Sequence, residues 1–159
     1  MKSSSQFERT EKLIAQNRKA RFEFEIIQVV EAGIILQGTE VKSLRRGKAN
    51  LQDAYATFPN KDNNDLYIIN LHISPYDFGN RENHEPKRQR KLLMNARELK
   101  KLRTATAEKG ITLVPLSLYF SGAFVKVELG LAKAKKRYDK RESVKERESN
   151  REIQRKYKF

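Results

Sequence analysis

The stretch ITLVPLSLYFSGAFVKVELGL, residues 111–131, decides the fold. In its second half Val125, Val127, Leu129 and Leu131 alternate with Lys126, Glu128 and Gly130. A period of two turns one face of a strand to a core and the other to water. Ile111–Phe120 is a second apolar run, and Ser121-Gly122-Ala123 between the two predicts a hairpin. The same alternation recurs toward the N-terminus, where Phe22, Phe24 and Ile26 are interleaved with Arg21, Glu23 and Glu25. After an expected turn at Glu31-Ala32-Gly33, residues 34–39 read as the hairpin partner of that strand. Leu51–Phe58 and Leu66–Ile73 complete a set of about six strands.

Three helical pieces interrupt the strands. Val41–Arg46 is stopped by Gly47. Asn95–Lys109 begins on the N-cap residue Asn95, has Glu98 three positions on and Gly110 past its end, and would bury Leu99 and Leu102. Residues 7–20 are the third. Many short strands with few helices predict a mainly β protein with short helices, folded as a small closed antiparallel β-barrel of the oligonucleotide-binding (OB) type. Closure removes the exposed edges of an open sheet. A two-layer α+β sheet is the alternative.

The 159 residues hold 34 Lys and Arg against 20 Asp and Glu, a net charge of +14, and 38% hydrophobic residues. That apolar share is below the roughly 45–50% of an average globular domain. No run approaches the ~18 apolar residues of a membrane span, and Met1–Ala20 lacks the apolar stretch of a secretory signal, so a soluble, cytoplasmic protein with no membrane partner is expected. The absence of cysteine excludes disulfides, thiolate metal sites and cysteine nucleophiles.

The charge is unevenly distributed. Residues 132–159 hold twelve basic and five acidic side chains, and their only sizeable apolar groups are Tyr138, Val144, Ile153, Tyr157 and Phe159. Burial of so few groups does not offset a backbone entropy of roughly 1–2 kcal/mol per residue. Pairs such as Glu142/Lys145, Glu148/Arg151 and Glu152/Lys156 nevertheless favour a helix. Residues 1–131 are therefore expected to form the folded domain. Residues 132–159 are expected to be a basic tail, disordered when free and helical against an anionic partner.

The connection PYDFGNRENHEPKRQRK, residues 75–91, ends in Lys87, Arg88, Arg90 and Lys91. Basic residues beside Tyr76, Phe78 and His84 suit phosphate neutralisation with base stacking; the structural alternative is that the rings only cap the barrel mouth. Catalytic signals are missing. There is no phosphate-cradling Gly-Lys-Ser/Thr loop, dinucleotide fingerprint or histidine pair at metal spacing. Asp62 and Asp65 lie in an Asn/Asp-rich turn, Asp53 and Asp77 are not paired, His72 reads as a hydrogen-bonded barrel residue and His84 as a loop residue. No catalytic residue, metal or cofactor is expected. RNA suits the composition better than duplex DNA, because no helix carries a major-groove recognition face. A general RNA-binding ribosomal protein and a metal-dependent nuclease are the competing classes.

Longer phrases narrow this further. NRKARFEFEI from Asn17, EAGIILQGTEVKSLRRGKANLQDAYA from Glu31, INLHISPYDFGN from Ile69, NHEPKRQRKLLMNARELKKL from Asn83, KGITLVPLSLYF from Lys109 and KVELGLAKAKKRYDKRE from Lys126 occur in that order. With GTEVKSLR, RKLL and YDKRE as its most specific parts, this series resembles the SmpB family, the tmRNA-binding proteins of bacterial ribosome rescue. Phe22 departs from the family's usual His, and Ala134 from its usual Gly. Alanine there favours helix at the start of the tail by about 1 kcal/mol.

The resemblance implies an OB-like barrel that grips the D- and T-loop elbow of the tRNA-like domain of tmRNA. It also implies entry, with elongation factor Tu, into the A site of a stalled ribosome as a monomeric protein partner. The body would stand in for the missing anticodon arm, and the tail would enter the empty mRNA channel. By that resemblance Glu31, Leu93 and Asn95 bind tmRNA, with Lys42, Arg45, Arg46, Lys87, Arg88, Arg90 and Lys91 supplying phosphate contacts. Tyr138, Asp139, Lys140 and Arg141 would meet the 16S rRNA decoding centre, accompanied by Lys133, Lys135, Lys136 and Arg137, with Ile153 a distal channel contact. As a helix, 28 residues would extend about 42 Å.

Overall fold

The structure is a computed structural model that describes residues 11–79 and 82–135. It is mainly β with three helices. In chain order the elements are β1 (Glu11–Gln16), α1 (Ala20–Glu23), β2 (Phe24–Ile34), α2 (Gly38–Arg45), β3 (Ala49–Asn50), β4 (Tyr55–Thr57), β5 (Leu66–Ile69), β6 (His72–Ile73), β7 (Arg90–Leu93), α3 (Ala96–Thr106), β8 (Ile111–Ser121) and β9 (Phe124–Ala134). Seven strands make one antiparallel sheet in the order β1-β8-β4-β5-β7-β2-β9, and β9 also pairs with β8. Pairing thus runs round a circuit of six strands, with β1 added outside on β8. β3 and β6 form a separate two-stranded ladder.

The opening stretch folds as its alternation requires. β8 and β9 pair from Ile111 opposite Lys133 to Ser121 opposite Phe124. The two-residue link Gly122-Ala123 has φ +61° at Gly122, the position where a type II′ hairpin turn needs glycine. Pro115 cannot donate to a ladder, and the register slips directly after it, between Pro115 and Ser117. Leu113, Leu118, Val127 and Leu129 are buried with Leu66, Ile68, Leu71 and Ile73 in the main core. A smaller cluster of Ala20, Val114, Leu116 and Ala132, packed by Phe24 and Ile26, forms where α1 covers the other side of the sheet.

Several expectations need correction. Glu31-Ala32-Gly33 is not a turn: β2 continues through it, pairing Glu31 with Glu128, Ala32 with Val127 and Gly33 with Lys126. Two flanking strands satisfy that backbone, so the local glycine cue is overridden, and residues 34–39 give way to the start of α2. Residues 11–16 of the expected third helix are strand β1 on the outer edge of β8; residues 7–10 lie outside the described residues. The third helix is instead the single turn α1, which delays the first predicted strand to Phe24. Leu51–Phe58 is extended only over Tyr55–Thr57, and Leu66–Ile73 is broken at Asn70, whose φ of +60° splits β5 from β6. The described residues hold nine strands, of which six make the paired circuit, β1 adds to its outside, and β3 and β6 pair apart.

The helices around the candidate site follow their caps. Glu40 reaches back to accept the Gln37 N–H at 2.8 Å at the start of α2, while Gly47, at φ +70°, follows its end. The Asn95 side chain accepts the Arg97 N–H at 2.9 Å at the start of α3, and Leu102 is that helix's buried residue. β9 runs to Ala134, three residues past Leu131, and Ala132 is fully buried opposite Ile26 and Thr112.

Candidate nucleic-acid interface

β2, β7, β8 and β9 present one outward face. Gly33 pairs with Leu93, and a Cβ on Gly33 would lie 3.5 Å from that of Leu93, so the leucine side chain lies across the glycine. Leu93 is 52% exposed, on the opposite side of its strand from the buried Leu92. Glu31, two residues back along β2, points the same way. Tyr119 donates its O–H to one Glu31 carboxylate oxygen, and Lys126 Nζ lies 3.6 Å from the other. Burial, followed by that bond to a carboxylate, pushes the Tyr119 hydroxyl up from its ordinary value, so the phenol keeps its proton. Because β7 runs antiparallel to β2, Asn95 lies toward the Glu31 end of this face. The structure thus brings Glu31 and Leu93 together with Asn95 alongside.

Tyr119 and Lys126 are the site residues that sequence reasoning missed. The alternation already placed Lys126 on the solvent side of its strand, but only the β2–β9 ladder brings it to Glu31. Glu31 fixed by two donors presents an oriented carboxylate edge, suited to accepting hydrogen bonds from base amino or ribose hydroxyl groups.

A second cluster surrounds the end of α2. Lys42 Nζ and Arg46 Cζ each lie 5.4 Å from the Tyr76 ring centre, and Arg46 lies 5.3 Å from that of Phe78. The two rings meet edge to face at 5.5 Å, and Phe78 is 68% exposed. Asp77 holds Arg46 at 3.3 Å and Lys48 at 3.6 Å. The rings therefore do not close the core; they form an exposed aromatic and cationic surface. Arg45 turns elsewhere, to a groove shared with Lys12.

The expected basic run at 87–91 is not one patch. Lys87 is exposed, whereas Lys91 faces Asp65 at 3.5 Å. Arg90 is fully buried and its assignment as a phosphate contact is corrected: its Nε donates to Glu40, and its Nη atoms donate to the carbonyls of Leu71 at 2.6 Å and Pro86 at 3.1 Å. Arg88 is largely committed as well, donating to Glu40 Oε1 at 2.6 Å and to the carbonyl of Ile35 at 3.4 Å. Burial alone would raise the Glu40 carboxyl, but hydrogen bonds from Arg88, the Gln37 N–H and Arg90 outweigh it and hold the group below its ordinary range. This triad fastens α2, the 75–89 connection and β7 together.

His84 belongs to the same fastening. It is buried, its Nε2–H donates to the Ile73 carbonyl at 2.9 Å, and its Nδ1 accepts the Thr39 hydroxyl at 2.9 Å. Reading it as a plain loop residue missed this, since its partners are 11 and 45 positions away.

A cavity of about 360 Å³ between β4, β8 and α3 contains none of the predicted residues. Its cation, Arg103, is engaged by the carbonyls of Asn60 and Lys61 at 3.0 Å. Among the described residues no group of three or more acidic or histidine side chains is placed to hold a metal ion. No helix among them is long and apolar enough to cross a membrane. Lys133 is exposed near the end of β9, and Lys135 follows it with its N–H on the Glu23 carbonyl at 3.0 Å. Lys136, Arg137, Tyr138, Asp139, Lys140, Arg141 and Ile153 lie outside the described residues.

A family model described as SmpB protein matches residues 14–159. The SsrA-binding protein of Carboxydothermus hydrogenoformans is 57% identical over 144 residues, covering 91% of this chain and 95% of that protein. That of Geobacillus thermodenitrificans is 54% identical over 144 residues, covering 91% of each. A solved structure described as "tmRNA-SmpB: a journey to the center of the bacterial ribosome" superposes with a TM-score of 0.65 at 46% identity, covering 82% of this chain and 93% of its own.

Proposed function

This chain belongs to the SmpB family, and from that premise we infer that it binds tmRNA and works in trans-translation on stalled ribosomes. It holds the tRNA-like domain at its elbow and brings it to a vacant A site, so that the nascent peptide is transferred and tagged. It acts without catalysis of its own. The circuit of six paired strands supports an OB-like closed barrel as the binding body, with residues up to the end of β9 as the folded domain. Elongation factor Tu accompanies the complex, and the protein enters it as a cytoplasmic monomer.

The observation that carries this reading is the Glu31 face: an exposed carboxylate held by Tyr119 and Lys126 beside an exposed Leu93. A carboxylate repels phosphate, so its fixed orientation suits hydroxyl and amino donors of nucleotides, while Leu93 offers an apolar surface to an unstacked base. Asn95 adds a side-chain N–H₂ group beyond its capping role. Lys42, Arg46 and Lys87 supply the surrounding positive field, with the Tyr76 and Phe78 rings available for stacking. The body stands in for the anticodon arm. The basic segment beyond β9, with Tyr138, Asp139, Lys140 and Arg141 at the decoding centre and Ile153 further along, follows the empty mRNA channel.

The test is Glu31→Gln in the full chain, measured by filter binding to a transcript of the tRNA-like domain. A hydrogen bond to a charged group is worth about 1.5–3 kcal/mol, so affinity falls about ten- to hundredfold. The melting temperature moves little, because Glu31 lies on the surface. Unchanged affinity, or a loss that only tracks unfolding, refutes the assignment.

A further inference from the structure

We propose that the groove between β1, the end of α2 and the β8–β9 turn is a second RNA subsite, in which Lys12 and Arg45 hold the phosphates on either side of one nucleotide while its base lies against Phe120. This rests on the RNA-binding reading above and adds a place to it. The groove measures about 250 Å³ and is lined by Lys12, Arg45, Phe120, Gly122 and Ala123, with no acidic residue among them. Lys12 stands opposite Phe120 in the β1–β8 register, so the two side chains share one side of the sheet. Phe120 packs its inner part on the core and leaves the rest at the surface.

The groove draws cations from two separate elements, and neither is matched to an acid lining it, unlike the six cations held in ion pairs elsewhere. Arg46 and Lys48 face Asp77, Lys91 faces Asp65, Arg88 and Arg90 share Glu40, and Lys126 faces Glu31. Lys12 and Arg45 have no ion pair or side-chain hydrogen bond among the described residues. The helix dipole favours cations in the last turn of α2 and accounts for Arg45 being there. It does not account for Lys12 arriving at the same groove from a different element. Two uncompensated cations beside an aromatic ring recognise a nucleotide in a flexible strand. The small side chains of Gly122 and Ala123 leave the turn open to a backbone passing over it.

The position also has a geometric consequence. Tyr119 and Phe120 are consecutive residues of β8 and point to opposite sides of the sheet. RNA touching both the Glu31–Tyr119 face and this groove therefore wraps the edge made by β1 and the β8–β9 turn.

The experiment measures filter binding of the full chain to the tRNA-like transcript over a range of KCl concentrations. It compares wild type, the double variant Lys12→Gln/Arg45→Gln, Phe120→Leu, and Lys100→Gln/Lys101→Gln on the exposed surface of α3 as a charge-matched control. If the subsite exists, the double variant's plot of log affinity against log salt is shallower than wild type by about 1.4–1.8, two phosphates at 0.7–0.9 each, while the control shifts by less than half of that. Phe120→Leu loses about fivefold or more in affinity with an unchanged slope, as stacking without charge requires. Equal slopes for the double variant and the control, with wild type binding tightly, overturn the subsite and leave the RNA reading intact. Wild type that fails to bind the transcript overturns the RNA reading itself.

Discussion

Replacing Glu40 by Gln tests the assignment of Arg90 and Arg88 as a structural clamp. Glu40 and Arg90 are both fully buried, and the carboxylate also takes Arg88 and the Gln37 N–H. Glutamine keeps the volume but removes the charge, leaving a buried guanidinium without its counter-ion. Breaking such a pair from one side costs about 3–5 kcal/mol. For a domain of this size that lowers the melting temperature by roughly 10–20 °C. The assay is thermal unfolding followed by circular dichroism, with filter binding to tRNA-like RNA repeated well below the variant's transition. RNA affinity of the folded variant stays within about threefold of wild type, because neither arginine's charge is offered to phosphate in the first place. The opposite pattern, tighter RNA binding with a melting temperature within about 2 °C of wild type, would mean that the arginines are surface phosphate ligands freed from a competing acid. That result would refute the clamp.

Three further outcomes follow from the same geometry. Since the folded Glu40 pKa lies below its ordinary 4.5, its contribution to stability is complete above that pH and is lost as pH falls through the folded value; wild type should lose stability below about pH 4.5, and Glu40→Gln should show a flatter acid limb in urea titrations. Asn95→Ala removes the cap on α3, costing about 1 kcal/mol and a few degrees of melting temperature, and a larger loss of RNA affinity than of stability would separate readout from capping. A chain truncated after Lys135 should melt like the full protein and keep its tmRNA affinity while losing peptide tagging in a translation assay. One truncated after Leu131 loses buried Ala132 and the end of the β9 ladders and should melt lower.

Much of the architecture is local and so was legible in the residues. The β8–β9 hairpin, with its alternation and glycine turn, follows from a period of two, α3 from its Asn95 cap, and the end of α2 from Gly47, whereas the start of α2, capped by Gln37 and Glu40, was not read. Gly33 shows where local reading fails. Its neighbours look like a turn, yet β7 and β9 on either side satisfy the backbone and keep it extended. The series of phrases shared with the SmpB family carried the function, and composition alone stopped at a basic RNA-binding protein.

In RKLL, residues 90–93, alternation says that Arg90 and Leu92 share one face and Lys91 and Leu93 the other. By hydrophobicity alone the two faces are equivalent, each offering one leucine and one cation. Only the tertiary structure chooses, because Glu40 arrives from α2, 50 residues away in sequence, and makes an arginine tolerable inside. That choice leaves Leu93 on the surface beside Glu31. Local pairing rules act over a few residues, whereas the sign of a buried site depends on which distant charge reaches it.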